Sequence, residues 1–179
     1  LKAGTEAEII AVMYLLQEAD SRHKLQVNLL GSGSILRESV AAKELLESDW
    51  GVGAHVWSCP SFNQLAREGQ DAERWNLLHP TELPRVPFVT RQLERTSGPV
   101  VASTDYVKAL PEQIRAHIPR GRSYKVLGTD GFGRSDFRYR LREHFEINRH
   151  YIVVAALKAL ADEGSVPATA VAEAIARYG

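Results

Sequence analysis

The sequence predicts an α/β domain with a mainly parallel sheet and helices on both faces. Three observations carry this. Short apolar runs alternate with longer segments at helical spacing, the pattern of successive βα units. Two of those runs end in glycine-rich turns that feed helices: residues 26–30 into Gly31-Ser-Gly33, and residues 123–127 into the corner Gly128-Thr-Asp-Gly-Phe-Gly-Arg-Ser-Asp136. The chain has 179 residues, 44% of them hydrophobic and 25% charged, which suits one globular domain large enough to bury a core.

Residues 6–20 read two ways. Ile9, Ile10, Met13 and Leu16 make a helical stripe, whereas residues 12–16 also suit a strand. Residues 26–30 form a buried strand, and the helix after the Gly31 turn runs over 34–48, with Leu36, Val40, Ala41 and Leu45 predicted to face inward. Asp49-Trp-Gly51 ends it. Residues 52–58 alternate as the next strand. Ser61 is placed to cap the following helix; Gly69 is expected to interrupt it, with residues 71–78 resuming before His79-Pro80. Pro80, Pro84 and Pro87 stiffen an extended crossing that enters a short helix at 86–94. Gly98-Pro99 leads into a strand at 100–103, and residues 105–118 read as helix, with Pro111 tolerated at a boundary or kink. A loop at 119–122 precedes the strand that feeds the glycine corner.

At that corner glycines supply φ > 0 or room for close backbone approach. Ser135 is predicted to cap a helix over 136–145, with Asp136 at the favourable positive end of its dipole. Asn148 is a good cap for 149–162, and Gly164 a good stop. Pro167 opens a last helix to 178, with Val171 and Ile175 on one side. No internal repeat, low-complexity tract or domain boundary is visible.

Lys+Arg and Asp+Glu balance at 22 each, so no basic excess points to nucleic acid or a membrane surface. No apolar run approaches the ~20 residues of a membrane span, and the stretch from Leu1 does not read as a signal peptide. The single cysteine, Cys59, excludes an internal disulfide and suits a reducing compartment. Without an initiator Met at position 1, the chain is expected to be a fragment.

The candidate chemistry is thin. Gly31, Ser32 and Gly33 stand between a strand and a helix, where N–H groups cradle anions. The turn lacks the third glycine of a dinucleotide fingerprint and the lysine of a P-loop, so a possible weak anion site competes with a plain tight turn. Ser32 is no nucleophile elbow. The six histidines are scattered, none paired at helical metal spacing, so zinc is not expected. Asp105, Asp130 and Asp136 follow strand ends or a cap and have the chemistry of an acidic magnesium site, although aspartates there more often tie down turns. Arg74, Trp75 and Arg85 read as packing and ion-pair residues at an interface. Cys59 has no evident histidine partner. Read this way, the chain has no convincing catalytic constellation.

The corner Gly128-Thr-Asp-Gly-Phe-Gly-Arg-Ser-Asp136 resembles the signature corner in the C-terminal domain of the transketolase superfamily. The nearest resemblance is to the bacterial homodimeric, thiamine-diphosphate-dependent pyruvate dehydrogenases (acetyl-transferring). Further segments fit in the same order: Gln26-Val-Asn-Leu-Leu-Gly-Ser-Gly-Ser-Ile-Leu-Arg37, Gly69-Gln-Asp-Ala-Glu-Arg-Trp-Asn-Leu-Leu-His-Pro80, Pro84-Arg-Val-Pro87, Val101-Ala-Ser-Thr-Asp-Tyr106 and Tyr151-Ile-Val-Val-Ala-Ala-Leu157. Each alone is weak. Together, in register, they span nearly the whole chain.

The resemblance implies a three-layer α/β/α, transketolase C-terminal-domain-like fold of about five strands. A helical turn and an antiparallel edge strand would fill residues 6–20, and residues 1–179 would be one domain at the C-terminus of a much larger chain. It implies a cytoplasmic homodimeric parent, using thiamine diphosphate and Mg²⁺, that decarboxylates pyruvate and acetylates the lipoyl group of a dihydrolipoyl acetyltransferase component. The superfamily's cofactor signature is Gly-Asp-Gly followed at a distance by Asn. Here Thr129 precedes Asp130-Gly131, and Asn148 comes too early. No catalytic, cofactor or metal residue is therefore expected in this chain. Gly128, Asp130, Gly131, Gly133 and Ser135 are expected to be a structural corner, and the domain to support fold and dimer. The family commonly shows Thr or Ser at Phe137, Glu-Asn at Tyr139-Arg140, Val-Thr-Ser-Phe at Cys59-Pro-Ser-Phe62 and Asp at Asn148. Two alternatives stay open: a free-standing anion- or nucleotide-binding module at the Gly31 corner, and a non-catalytic dimerisation or docking domain.

Overall fold

Among the described residues five strands make one sheet: β1 (Tyr14–Gln17), β2 (Leu25–Gly31), β3 (Val52–Ser58), β4 (Val100–Ser103) and β5 (Tyr124–Leu127), in the order β1-β3-β2-β4-β5. The computed structural model describes residues 6–178. β2, β3, β4 and β5 run parallel, and β1 pairs antiparallel with β3 at the edge. The two readings of residues 6–20 are resolved as a short helix, α1 (Glu6–Ile10), followed by that edge strand. The α/β architecture with an antiparallel edge is the one the resemblance implied.

Helices cover both faces. On one side α2 (Leu36–Asp49), α7 (Arg149–Asp162) and α8 (Ala168–Tyr178) close over Val27, Leu29, Ala54 and Val101. On the other, α3 (Phe62–Leu78) and α4 (Phe88–Leu93) cover Leu30, Trp57, Val100 and Ala102. Neighbouring strand residues point to opposite faces, which is why Leu29 and Leu30 enter different clusters. Burial on both faces explains the near-continuous apolar strands. One buried polar residue interrupts β2: Asn28 is fully buried, donating to the Ser97 carbonyl (2.8 Å) and accepting from the Trp57 indole (3.0 Å) and the Thr96 hydroxyl (2.7 Å).

Several expectations are corrected. α2 buries Glu38, Ser39, Ala42 and Leu46, while Leu36, Val40, Ala41 and Leu45 sit half-buried on its flank. The small side chains let the helix settle close to the sheet, with the Ser39 hydroxyl 3.0 Å from that of Ser103. α3 runs unbroken through Gly69, and the residue is glycine because a side chain there would collide with the buried His117 ring: a Cβ would lie 2.3 Å from its Nε2. The glycine is a packing requirement, not a break. The helix predicted over 105–118 shrinks to α5 (Ala109–Glu112) and a 3₁₀ turn at Arg115–His117. In α8, Val171 and Ala174 are buried and Ile175 is 55% exposed, so Val171 and Ile175 do not share the packed face.

Three caps match their residues. The Ser61 hydroxyl accepts from Gln64 N (3.2 Å), the Asn148 amide oxygen accepts from His150 N (3.0 Å) and Tyr151 N (3.1 Å), and Gly164 turns the chain at φ +73°. Ser135 does not cap. The last helix of the corner, α6 (Arg138–His144), starts later than predicted, behind Phe137 and without a side-chain cap. Asp136 Oδ1 instead accepts from Phe137 N (2.7 Å), which holds the loop extended past the expected start.

Candidate functional site at the carboxyl edge of the sheet

The four parallel strands end level, with Gly31 in register with Ser58 and Ser103, and Ser103 with Leu127. The chain leaves β2 toward β3 and leaves β4 toward β5, so the crevice between β2 and β4 is the topological switch point, where open α/β sheets take ligands. Here a side-chain hydrogen bond spans that crevice, and the loop after β4 is tied in turn to the loop after β5. Ser34 Oγ donates to Asp105 Oδ2 (3.0 Å), the Thr129 hydroxyl donates to the Asp105 carbonyl (2.9 Å), and Thr129 N donates to the Tyr106 carbonyl (2.8 Å).

Gly31 is required by close approach, since a Cβ would lie 2.7 Å from the Leu36 Cα. Gly33 has φ +56°, and a Cβ there would lie 3.1 Å from an Asp105 carboxylate oxygen. Ser32 N is already used, donating to the Ser103 carbonyl (3.1 Å). A carboxylate standing beside Gly33 repels an anion, so the geometry at Gly31, Ser32 and Gly33 favours the tight-turn reading.

The three aspartates are not brought together around a common point. Asp105 holds Ser34; Asp130 Oδ1 accepts from Lys108 N (3.0 Å); Asp136 holds the Phe137 amide. Among the described residues no cluster of three His, Cys, Asp or Glu side chains could hold a metal ion. Gly131 has φ +89° and Gly133 does not lie in the left-handed region. Gly128 is demanded by contact, since a Cβ would sit 2.7 Å from the Tyr106 carbonyl oxygen.

The other singled-out residues lie elsewhere. The Arg85 guanidinium stacks 4.2 Å over the Trp75 ring, which also stacks on His79 (4.3 Å). Asn76 clips this arm by accepting from Arg85 N (2.7 Å) and donating to its carbonyl (2.9 Å). Arg74 is exposed. Cys59 is fully buried, and burial pushes its thiol far up from the ordinary cysteine range, so it presents no thiolate.

Sequence reasoning missed the strongest electrostatic feature of this edge. Glu38, on the inner face of α2, accepts from Arg142 Nη1 (2.7 Å), Arg149 Nε (3.0 Å) and Arg149 N (3.1 Å). Its side chain is 6% exposed. Burial pushes the carboxyl up, but the side-chain and backbone hydrogen bonds of Arg149 and the charges of Arg149 and Arg142 outweigh it and leave it below the usual glutamate range. Glu146, at φ 56°, turns the chain between α6 and α7 so that both arginines reach the one carboxylate. Arg142 also reaches the Ser34 carbonyl (3.4 Å), tying α6 to the switch-point turn. Glu38, Tyr139, Arg142, Arg149, His150 and Tyr178 line an open groove of about 640 Å³. The triad fixes the geometry between elements; both cations are already matched to their carboxylate.

The chain is similar to known proteins over most of its length. Residues 13–148 match the model of the transketolase-like C-terminal domain. Pyruvate dehydrogenase E1 components are similar over the whole chain: that of Cupriavidus necator is 54% identical over 99% of this chain, that of Pseudomonas aeruginosa 55% over 98%, and that of Escherichia coli 51% over 98%. The chain spans only about a fifth of the length of these curated relatives, 20%, 20% and 19% respectively. Among solved structures, transketolase from Leishmania mexicana aligns with a TM-score of 0.57 at 21% identity, covering 93% of this chain and 21% of that one. Transketolase from Campylobacter jejuni aligns at 0.55 and 20% identity, covering 84% and 19%. At those identities the structural likeness speaks to the fold.

Proposed function

Because the chain belongs to the family of transketolase-like C-terminal domains, we propose that it serves as that domain within a pyruvate dehydrogenase E1 component. The observation that carries the reading is 54% identity to such a component across essentially the whole chain. The proposed parent uses thiamine diphosphate with Mg²⁺ to decarboxylate pyruvate and acetylates the lipoyl group of a dihydrolipoyl acetyltransferase. It works in the cytoplasm as a homodimer.

Within that parent the domain supports the fold and the dimer and leaves catalysis to other domains. A magnesium diphosphate needs several oxygen donors converging on one near-octahedral ion. Asp105, Asp130 and Asp136 each hold a separate turn, and Asp105 stands where a phosphate would approach Gly33. The residues present do not fit the cofactor, and no chemical step is assigned to them. The role is mechanical: a level sheet edge, with Glu38 joining α2, α6 and α7.

The test compares the natural full-length protein with a form lacking these residues. The expected result is pyruvate decarboxylation and a dimer by light scattering for the first, and loss of both for the second. A truncated form that stays dimeric and fully active would overturn the supporting role. A full-length protein inactive on pyruvate with thiamine diphosphate and Mg²⁺ would overturn the parent.

A further inference from the structure

The chain is neutral overall, with 22 basic and 22 acidic residues, yet its charge is not evenly spread along the carboxyl edge. Between 134 and 142 stand four arginines, Arg134, Arg138, Arg140 and Arg142, against a single acid, Asp136. Arg142 is matched by the buried Glu38. Arg134, Arg138 and Arg140 have no carboxylate partner among the described residues; Arg140 only donates to the Tyr139 hydroxyl (3.2 Å) and lies over its ring (5.8 Å). Every residue from 131 to 140 is exposed.

Aromatic rings are interleaved with these cations. Phe132 is 96% exposed, Phe137 72% and Tyr139 64%, and the last two stack on each other at 6.2 Å with an interplanar angle of 12°. The ridge is not a free tail. Thr129 and Asp130 pin its start to Tyr106 and Lys108, and Arg142 pins its end to Glu38 and Ser34. Exposed arginine and aromatic side chains are what interface centres are enriched in, because they bring large contact area and charge, and here the backbone that carries them is anchored at both ends.

We propose that this ridge, Arg134 to Arg140 with Phe137 and Tyr139, is a docking surface for an acidic polypeptide segment carrying discrete carboxylates beside apolar side chains. Charge complementarity selects the occupant: unpaired guanidiniums match carboxylates in fork geometry, and the stacked rings cover apolar surface between them. A nucleic acid fits worse. Its evenly spaced phosphates need a continuous basic track, whereas this ridge is interrupted by Asp136 and flanked by Asp130, Glu143 and Glu146. The inference concerns the exposed side of the corner and of α6, away from the Glu38 contact, and it stands without the proposed parent reaction.

Fluorescence anisotropy on the natural protein at its full length tests it, with a labelled oligo-glutamate peptide containing leucines as probe and oligothymidylate and an oligo-lysine peptide as comparisons. The expected result is salt-sensitive binding of the acidic peptide that weakens at least about tenfold in Arg134→Gln/Arg138→Gln/Arg140→Gln and is unchanged in Arg120→Gln, an exposed arginine of another loop. Oligothymidylate binds more weakly than the peptide. The charge reversal Arg138→Glu/Arg140→Glu shifts preference toward oligo-lysine, which a merely misfolded variant would not do. Absence of peptide binding, equal binding by the triple variant, no gain of oligo-lysine on reversal, or oligothymidylate binding as tight as the peptide would each overturn the proposal.

Discussion

Glu38 is the residue whose removal should be felt furthest. Glu38→Ala deletes one carboxylate that accepts from Arg142 Nη1 at 2.7 Å, Arg149 Nε at 3.0 Å and Arg149 N at 3.1 Å, and it leaves those donors facing a void. Charge-assisted hydrogen bonds contribute about 1.5–3 kcal/mol each, and breaking a buried pair costs about 3–5 kcal/mol. Arg149 is 46% exposed and recovers part of its loss in water, while Arg142, at 16%, recovers little. The expected destabilisation is therefore about 3 kcal/mol, at the low end of the buried-pair range. Glu38→Gln keeps the shape and one acceptor and should cost about half of that. Urea unfolding followed by circular dichroism reads the midpoint, and at ~2 kcal/mol/M the alanine variant should lose about 1.5 M. The carboxyl is depressed in the folded state. Its contribution is thus complete above the unfolded glutamate pKa of about 4.3 and is lost as pH falls through the lower folded value. An alanine variant within about 0.5 kcal/mol of the parent at neutral pH would show that the triad is incidental.

The sheet was legible because its strands are short and doubly buried, so 26–30, 52–58 and 100–103 stand out without tertiary knowledge. What failed was information carried by distant residues. Gly69 looks like a helix break until His117 is seen lying on it. Spacing draws the inward face of α2 through Leu36, Val40, Ala41 and Leu45, yet the helix turns Ser39, Ala42 and Leu46 inward, because small residues permit the close approach that places Ser39 against Ser103. Burial of Glu38 at that face makes sense only with Arg142 and Arg149, which follow it by 104 and 111 residues. A glutamate on the packed side of an amphipathic helix is a visible oddity, and it was the one available signal for the triad. The glycine corner is legible as a strand exit, but the start of its helix is not: Asp136 satisfies a local amide and so delays the helix past Ser135. Local competition of this kind is written in side-chain geometry rather than in spacing.

At the corner, Gly131→Ala should cost roughly 1 kcal/mol through its φ of +89°, while Gly133→Ala, outside the left-handed region, should be near neutral; equal midpoints in a urea titration would remove the backbone explanation. Asn148→Ala should lose about 0.5–2 kcal/mol of stability and Asn148→Asp almost none, since either side-chain oxygen accepts from His150 N and Tyr151 N; three identical unfolding curves would mean the cap is idle. The pH dependence of the β1–β2 connection rests on His55. Ala19 N donates to its Nδ1 (3.1 Å) and Gln26 Oε1 lies 3.2 Å from its Nε2, an arrangement that needs neutral imidazole with the proton on Nε2. Burial, aided by the Lys43 charge, depresses this histidine, against the opposing pull of Glu18 and Glu47. The unfolded chain therefore binds the proton more readily, so the contribution of His55 is complete above the ordinary histidine range near 6.5 and is lost as pH falls through and below it, by at most about 1.4 kcal/mol per pH unit. Urea midpoints measured at neutral and mildly acidic pH should fall more in the parent than in His55→Gln, which cannot titrate; parallel losses in the two proteins would show that the histidine is not the group responsible.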